Sequence, residues 1–224
     1  MNPRHRVLPG LFKGAALAAL LGASRILGAG GDTAATHTVL FFGDSLTEGY
    51  GLADPDVESY PAQVQKHIDG EHLPWRVVNA GLSGETSAGG LRRVDWVMNQ
   101  KPDIFVLELG ANDGLRGTAT DITSANLQGI IDRVRARSPG TRIILAGMLM
   151  PVSMGQDYAD AFHALFPALA KRNGIVLIPF LLDKVAANPD LNQGDGIHPT
   201  AAGARIVADG VWKVLRPLLL DGVR

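Results

Sequence analysis

Thr38-Val-Leu-Phe-Phe-Gly43-Asp44-Ser45-Leu46-Thr47-Glu48-Gly49 is the stretch that decides the fold: an apolar, β-rich run passes straight into Gly-Asp-Ser and then into what reads as a helix start. Runs of the same character recur from Arg76 to Val78, Ile104 to Leu109, Arg142 to Met148 and Ile175 to Ile178. Their unbroken hydrophobicity predicts strands buried on both faces. Between them, apolar residues at helical spacing predict helices over Tyr60 to Ile68, Leu91 to Asn99, Ser124 to Arg137 and Tyr158 to Arg172. A last helix is expected over Ala201 to Leu219, interrupted by Pro217. Strict alternation of strand and helix implies right-handed crossovers and a parallel sheet covered on both faces, so the expected fold is α/β, a three-layer α/β/α sandwich. Ligands in such sheets sit beyond the carboxyl ends of the strands, and the loops that follow each apolar run are where chemistry is to be sought.

Composition narrows the partners. The 224 residues are 46% hydrophobic and 19% charged, the profile of a single globular domain. A formal net charge of -1 supplies no broad positive field for nucleic acid or an anionic membrane, which leaves a small, mostly apolar molecule as the expected partner. Arg4, His5, Arg6 and Lys13 lead into an Ala/Leu-rich run from Gly14 to Ala23, a signal-peptide pattern. Cleavage is expected after Leu27-Gly28-Ala29, leaving residues 30–224 as one domain, periplasmic or secreted, without stable membrane insertion and as a monomer. An uncleaved amphipathic anchor is the alternative, since the run is too short to span a bilayer. With no cysteine, stability must come from the core.

Four loops carry candidate chemistry. Ser45 stands at the carboxyl end of its strand, and the helix that follows aims unpaired N–H groups at charge developing on an attacked carbonyl. Gly43 permits a tight turn there, although Ser45 or Thr47 could equally be a helix cap. The loop Asn79-Ala-Gly81-Leu82-Ser83-Gly84-Glu85-Thr86 offers the Gly81 N–H to a substrate oxygen. In Gly110-Ala-Asn112-Asp113-Gly-Leu115-Arg116-Gly117, the Asn112 amide is a neutral donor suited to an oxyanion. Finally, Gly194-Asp195-Gly-Ile197-His198-Pro199 spaces a carboxylate three residues before an imidazole, so Asp195 can hold one side of the ring while the other takes the proton of Ser45.

Together these four blocks resemble the SGNH or GDSL hydrolase family, named for a Ser, Gly, Asn and His, read here as Ser45, Gly81, Asn112 and His198. The resemblance spans residues 38–216 and, within the family, is to the bacterial periplasmic thioesterase I/lysophospholipase L1/arylesterase group. It implies a flavodoxin-like five-stranded sheet and a serine esterase acting on carboxylic esters, thioesters or lysophospholipids through an acyl-enzyme on Ser45. It also implies an oxyanion hole of the Ser45 and Gly81 amides with the Asn112 side chain, and Asp195 orienting His198. Leu46, Leu82, Leu115, Met154 and Ile197 are the candidate substrate contacts. One stretch departs from the group: where relatives carry a Pro-Pro-Asn-Tyr-Gly-like loop, this chain has Pro151-Val-Ser-Met154-Gly155, which leaves chain-length preference open.

Other features are assigned to structure. His5, His37, His67, His72 and His163 lack ligand-like spacing, Trp75, Trp96 and Trp212 are expected in the core, and Asp44 and Asp113 as holders of loops. Arg116 could contact a head group or simply be solvated. No Walker A, dinucleotide-binding or His-Glu-x-x-His pattern occurs, so neither cofactor nor metal is implied. The rival readings are a carbohydrate or cell-wall acetyl esterase of the same family, a metal-dependent hydrolase using Asp44, Asp113, Asp195 and His198, and a silent lipid-binding module.

Overall fold

The computed structural model describes residues 37–221, so the expected export segment lies outside the described residues. Five parallel strands form one sheet in the order β2-β1-β3-β4-β5: β1 His37–Gly43, β2 Trp75–Gly81, β3 Ile104–Glu108, β4 Arg142–Ala146 and β5 Val176–Ile178. The helices are α1 Ser45–Glu48, α2 Pro55–Glu58, α3 Tyr60–Gly70, α4 Ser87–Val97, α5 Ala111–Leu115, α6 Thr120–Arg137, α7 Gln156–Asn173 and α8 Ala201–Asp221. On one face α3 packs on α8; on the other, α4 and α7 each pack on α6. Both layers press apolar stripes on the sheet, Val64, Ile68, Val207, Val211 and Leu215 from one side and Val94, Val97, Leu127, Ile131 and Phe166 from the other. The expected three-layer architecture is therefore the observed one.

Burial on both faces holds only for the inner strands. Phe41, Phe42, Phe105, Val106, Leu107 and Ile144 have no exposed surface or almost none, but β2 and β5 are edge strands with half-exposed side chains. The outer side of β2 is closed by a helix side chain: Gln65 of α3 accepts from Val77 N–H at 2.6 Å and donates to the Trp75 carbonyl at 3.3 Å. This covers polar edge groups that would otherwise invite pairing with another chain.

Two further expectations are corrected. Pro217 does not interrupt α8, because it lies on the exposed side where the carbonyl it leaves unbonded can be hydrated, while Leu215 and Leu219 carry the buried stripe across it. Trp96 is not in the core but 70% exposed at the end of α4, whereas Trp75 is 2% exposed and Trp212 is half-buried, stacked on His67 at 5.2 Å. Among the described residues no helix is long and apolar enough to cross a membrane. Substituting Trp75→Ala should cost about 3–5 kcal/mol of unfolding free energy and Trp96→Ala no more than about 0.5 kcal/mol, measured by denaturant titration of the two variants.

Candidate active site

All five strands point their carboxyl ends at the same rim, and the loops there converge. At the end of β1 the chain leaves Gly43, and Asp44 caps α1, its Oδ1 accepting from the Leu46 N–H at 3.0 Å. Ser45 is thereby the first residue of α1, where its own N–H has no helical acceptor. Its hydroxyl lies 2.8 Å from Nε2 of His198, and His198 Nδ1 lies 2.6 Å from Asp195 Oδ2. The other carboxylate oxygen of Asp195 accepts the amides of Ile197 at 2.9 Å and His198 at 3.0 Å. Burial pushes the Asp195 carboxyl up, but these hydrogen bonds from the His198 ring and the two amides overcome it and hold the group down at about 2. An ionised Asp195 fixes the tautomer of His198 with its proton on Nδ1, which leaves the Nε2 lone pair for the Ser45 hydroxyl.

The histidine loop is tied to the serine loop. Gln193 N–H donates to the His198 carbonyl at 2.7 Å, and Gln193 Nε2 donates to the Tyr50 carbonyl at 2.7 Å and the Pro199 carbonyl at 3.0 Å. The Tyr50 ring stands 4.8 Å from the imidazole. This clamp sets the spacing of Ser45 and His198 across a separation of 153 positions in sequence.

Beside Ser45 opens a cleft of about 360 Å³, within the range of small-molecule sites, walled by Asp44, Leu46, Tyr50, Ser83, Gly84, Ala111, Asn112, Leu115, Asp195, Ile197 and His198. Leu46, Asn112, Leu115 and Ile197 are thus brought together on one wall beside Ser45. Leu82 and Met154 do not: Leu82 is 47% exposed outside the wall, and Met154 belongs to a short turn, Val152–Met154, that does not reach it.

Gly81 needs the larger correction. Its N–H already donates to Asn79 Oδ1 at 3.0 Å, and its Cα is pressed against the backbone of Thr47 and Glu48, so the amide is not offered to the cleft. The glycine on the cleft wall is Gly84, whose N–H has no acceptor among the described residues. Gly84 adopts φ +75°, which a glycine takes without strain, and that is the signal the sequence carried in its Ser83-Gly84 pair. The loop is strapped from both sides: Ser83 bonds Glu48 through its N–H and hydroxyl, and Arg116 donates to the Gly84 carbonyl at 3.1 Å. Arg116 is thus a loop strap in this structure rather than a free head-group ligand. Tyr50, Ser83 and Ala111 are further wall residues that the motif reading did not single out.

Asn112 is present but occupied, its amide donating to the Glu85 carbonyl at 3.0 Å and to Asp44 Oδ2 at 3.1 Å. Asp113 holds the Ser87 N–H at 2.7 Å and hydroxyl at 2.6 Å. Among the described residues no three His, Asp or Glu side chains gather as a metal-ligand set.

The GDSL-like Lipase/Acylhydrolase family matches residues 41–206. The chain is 38% identical to "Esterase TesA" of Pseudomonas aeruginosa over 83% of its own length and 91% of that protein's. It is 36% identical to "Thioesterase 1/protease 1/lysophospholipase L1" of Escherichia coli strain K12, over 83% and 86% of the two chains. Among solved structures it is similar to the psychrotrophic esterase EstA from Pseudoalteromonas sp., inhibited by monoethylphosphonate, with TM-score 0.76 and 30% identity over 82% of this chain and 98% of that one.

Because its folded pKa lies below the ordinary 3.8, ionised Asp195 stabilises the fold above that value, and the contribution is lost as the pH falls toward about 2. The stability difference between the native chain and Asp195→Asn should accordingly shrink as the pH is lowered from about 4 to about 2, measured by urea unfolding at each pH.

Proposed function

Since this chain belongs to the GDSL-like Lipase/Acylhydrolase family, we propose that Ser45 is the nucleophile, His198 its general base and Asp195 the group that orients the base. The chain is a carboxylic ester hydrolase, and the observation that carries the assignment of roles is the unbroken hydrogen-bonded line from Asp195 through His198 to Ser45 at the cleft. As Ser45 Oγ attacks the acyl carbon, its proton passes to His198 Nε2 and the carbonyl electrons move onto oxygen. The oxyanion is received by the unpaired amides of Ser45 and Gly84, joined by the Asn112 amide when it releases its longer bond to Asp44. Collapse breaks the bond to the leaving alcohol or thiol, which takes the proton from His198. Water then attacks the acyl-enzyme by the same route and returns the serine.

The cleft supports an acyl or aryl ester. Leu46, Leu115 and Ile197 line it, Tyr50, Leu115 and Ile197 expose apolar surface there, and Asp195 is already paired to His198. Relatives named for esterase, thioesterase and lysophospholipase activity support carboxylic esters, thioesters and lysophospholipids as the substrate range. The basic residues ahead of the apolar run from Gly14 to Ala23 support export to the periplasm or beyond, and a monomer is the working state.

The test is hydrolysis of p-nitrophenyl esters of increasing chain length, with acetylated xylose and a chelator as controls. Ser45→Ala should lose at least about 10³-fold in kcat, Asn112→Ala about 10²–10³-fold, and the chelator should change nothing. Retention of activity in Ser45→Ala would sink the serine mechanism, and loss on chelation would return the metal-dependent alternative.

A further inference from the structure

Glu108 closes β3 directly beneath the nucleophile turn and has no exposed surface, yet none of the proposed chemistry uses it. Its Oε2 accepts from Thr47 Oγ1 at 2.7 Å and from the Asp44 N–H at 3.2 Å. The Thr47 hydroxyl is in turn 2.7 Å from Tyr60 Oη, also buried, so a line of hydroxyls runs from α3 through α1 to the end of β3. Gly43 lies against the same carboxyl: a Cβ at that position would overlap Thr47 Oγ1, Glu108 Oε2 and the Glu108 carbonyl. Both residues flanking the turn, Gly43 before it and Thr47 after it, are therefore fitted to one acidic side chain.

We propose that Glu108 is a positioning residue for ester hydrolysis, whose carboxyl grips the Asp44 N–H and the Thr47 hydroxyl and so fixes the turn that presents Ser45. The inference rests on the role given to Ser45 above.

A buried carboxylate is costly without a cation beside it, and among the described residues no Lys or Arg bonds to Glu108 and only its Oε2 finds donors, its Oε1 having none. Its nearest charged neighbour is another acid. Burial and then the Asp44 charge push Glu108 well above the usual carboxylate range. Asp44 is raised to about 6 by burial, against the lowering effect of the Leu46 amide, the Asn112 amide and the nearby His198. Burial thus pushes both carboxyls toward their neutral forms, and charge on one disfavours charge on the other. Glu108 accepts from the Asp44 N–H and from the Thr47 hydroxyl, gripping the residue before the nucleophile and the one two positions after it. Asp44 passes the restraint to Asn112 through their 3.1 Å bond. Glu108 itself does not reach the cleft wall, so its loss should spare substrate binding and misalign the reacting groups.

The experiment compares Glu108→Gln, Glu108→Ala and Thr47→Val with the native chain in p-nitrophenyl ester hydrolysis and in the rate of serine labelling by a fluorophosphonate, each variant checked for folding by thermal melting. A neutral amide keeps an oxygen that can accept the same two bonds, so Glu108→Gln should keep kcat within about threefold. Glu108→Ala should lose about 10–100-fold in kcat and in labelling rate while KM moves by less than about twofold, and Thr47→Val should lose a smaller factor of the same kind. Full kcat in Glu108→Ala overturns the proposal. A Glu108→Gln variant that falls as far as Glu108→Ala also overturns it, because the carboxyl would then be acting ionised or as a proton carrier. Should Glu108→Ala fail to fold, Thr47→Val decides, and unchanged kcat and labelling there overturn the proposal. Ser45→Ala in the same assay keeps the two questions apart: activity surviving in that variant removes the serine assignment, whereas a dead Ser45→Ala with an unaffected Glu108→Ala removes only the role of Glu108.

Discussion

The structure turns on a contact that only a glycine permits. At Gly43 the backbone comes so close to the side chains of Glu108 and Thr47 that no Cβ fits, and that closeness lets β1 run directly into the helix bearing Ser45. The glycine is required by space rather than by an unusual backbone, since Gly43 is not among the residues with positive φ. If β1 and β3 were spread to admit a side chain, the register that pairs Gly43 with Glu108 would be lost, and with it the hydroxyl line from Tyr60. Sheet geometry and site geometry are thus the same constraint seen from two sides.

Parallel topology does the rest. With every strand running the same way, the loops after β1, β2 and β3 and the loop before α8 all meet at one rim, so residues far apart in sequence share a cleft. The loops are made rigid by polar straps: Gln193 binds the histidine loop to Tyr50, Arg116 and Glu48 bind the Gly84 loop, and Asp113 binds the start of α4. A site on loops gains definition only when such bonds exclude alternatives.

How far this was legible in the sequence follows from which interactions are local. Strand and helix periodicity is local, and every expected strand and long helix exists. The Asp195, Ile197 and His198 arrangement is local too, because an Asp two and three residues before two amides can bond both. What escaped reading depends on distant partners. Leu82 and Met154 sit in the loops that read as cleft walls, yet neither lines the cleft, and nothing in their own stretches of chain separates them from Leu46 or Ile197. Gly81 and Gly84 are the same letter in one loop, and what separates them is tertiary: the Thr47–Glu48 backbone packs against Gly81 and Asn79 takes its amide, whereas Gly84 faces the cleft with its amide free of any acceptor among the described residues. Strand hydrophobicity likewise cannot tell an edge from a centre, because that depends on sheet order. Glu108 was hidden for the same reason, a charged letter at the end of an apolar run whose partners lie more than sixty positions away.

Three carboxyls lie around one serine, and their environments separate them into three roles. Asp195 receives the His198 ring and two amides and is held at about 2, so it is a lasting anion able to stabilise a protonated imidazole. Asp44 is buried but given a backbone amide and a side-chain amide, and is raised to about 6. Glu108, fully buried and beside the Asp44 charge, is pushed well above the usual carboxylate range. Exchanging the acids would fail on electrostatic grounds: a neutral acid at 195 could not balance a charge forming on His198, and a second anion at 108 would repel Asp44 where no water can screen it. The same separation reaches the start of α1: burial disfavours charge on both Asp44 and Glu108, and whatever charge Asp44 carries is drawn toward the amides of Leu46 and Asn112, so the helix N-terminus is less burdened by like charge than two free carboxylates would make it.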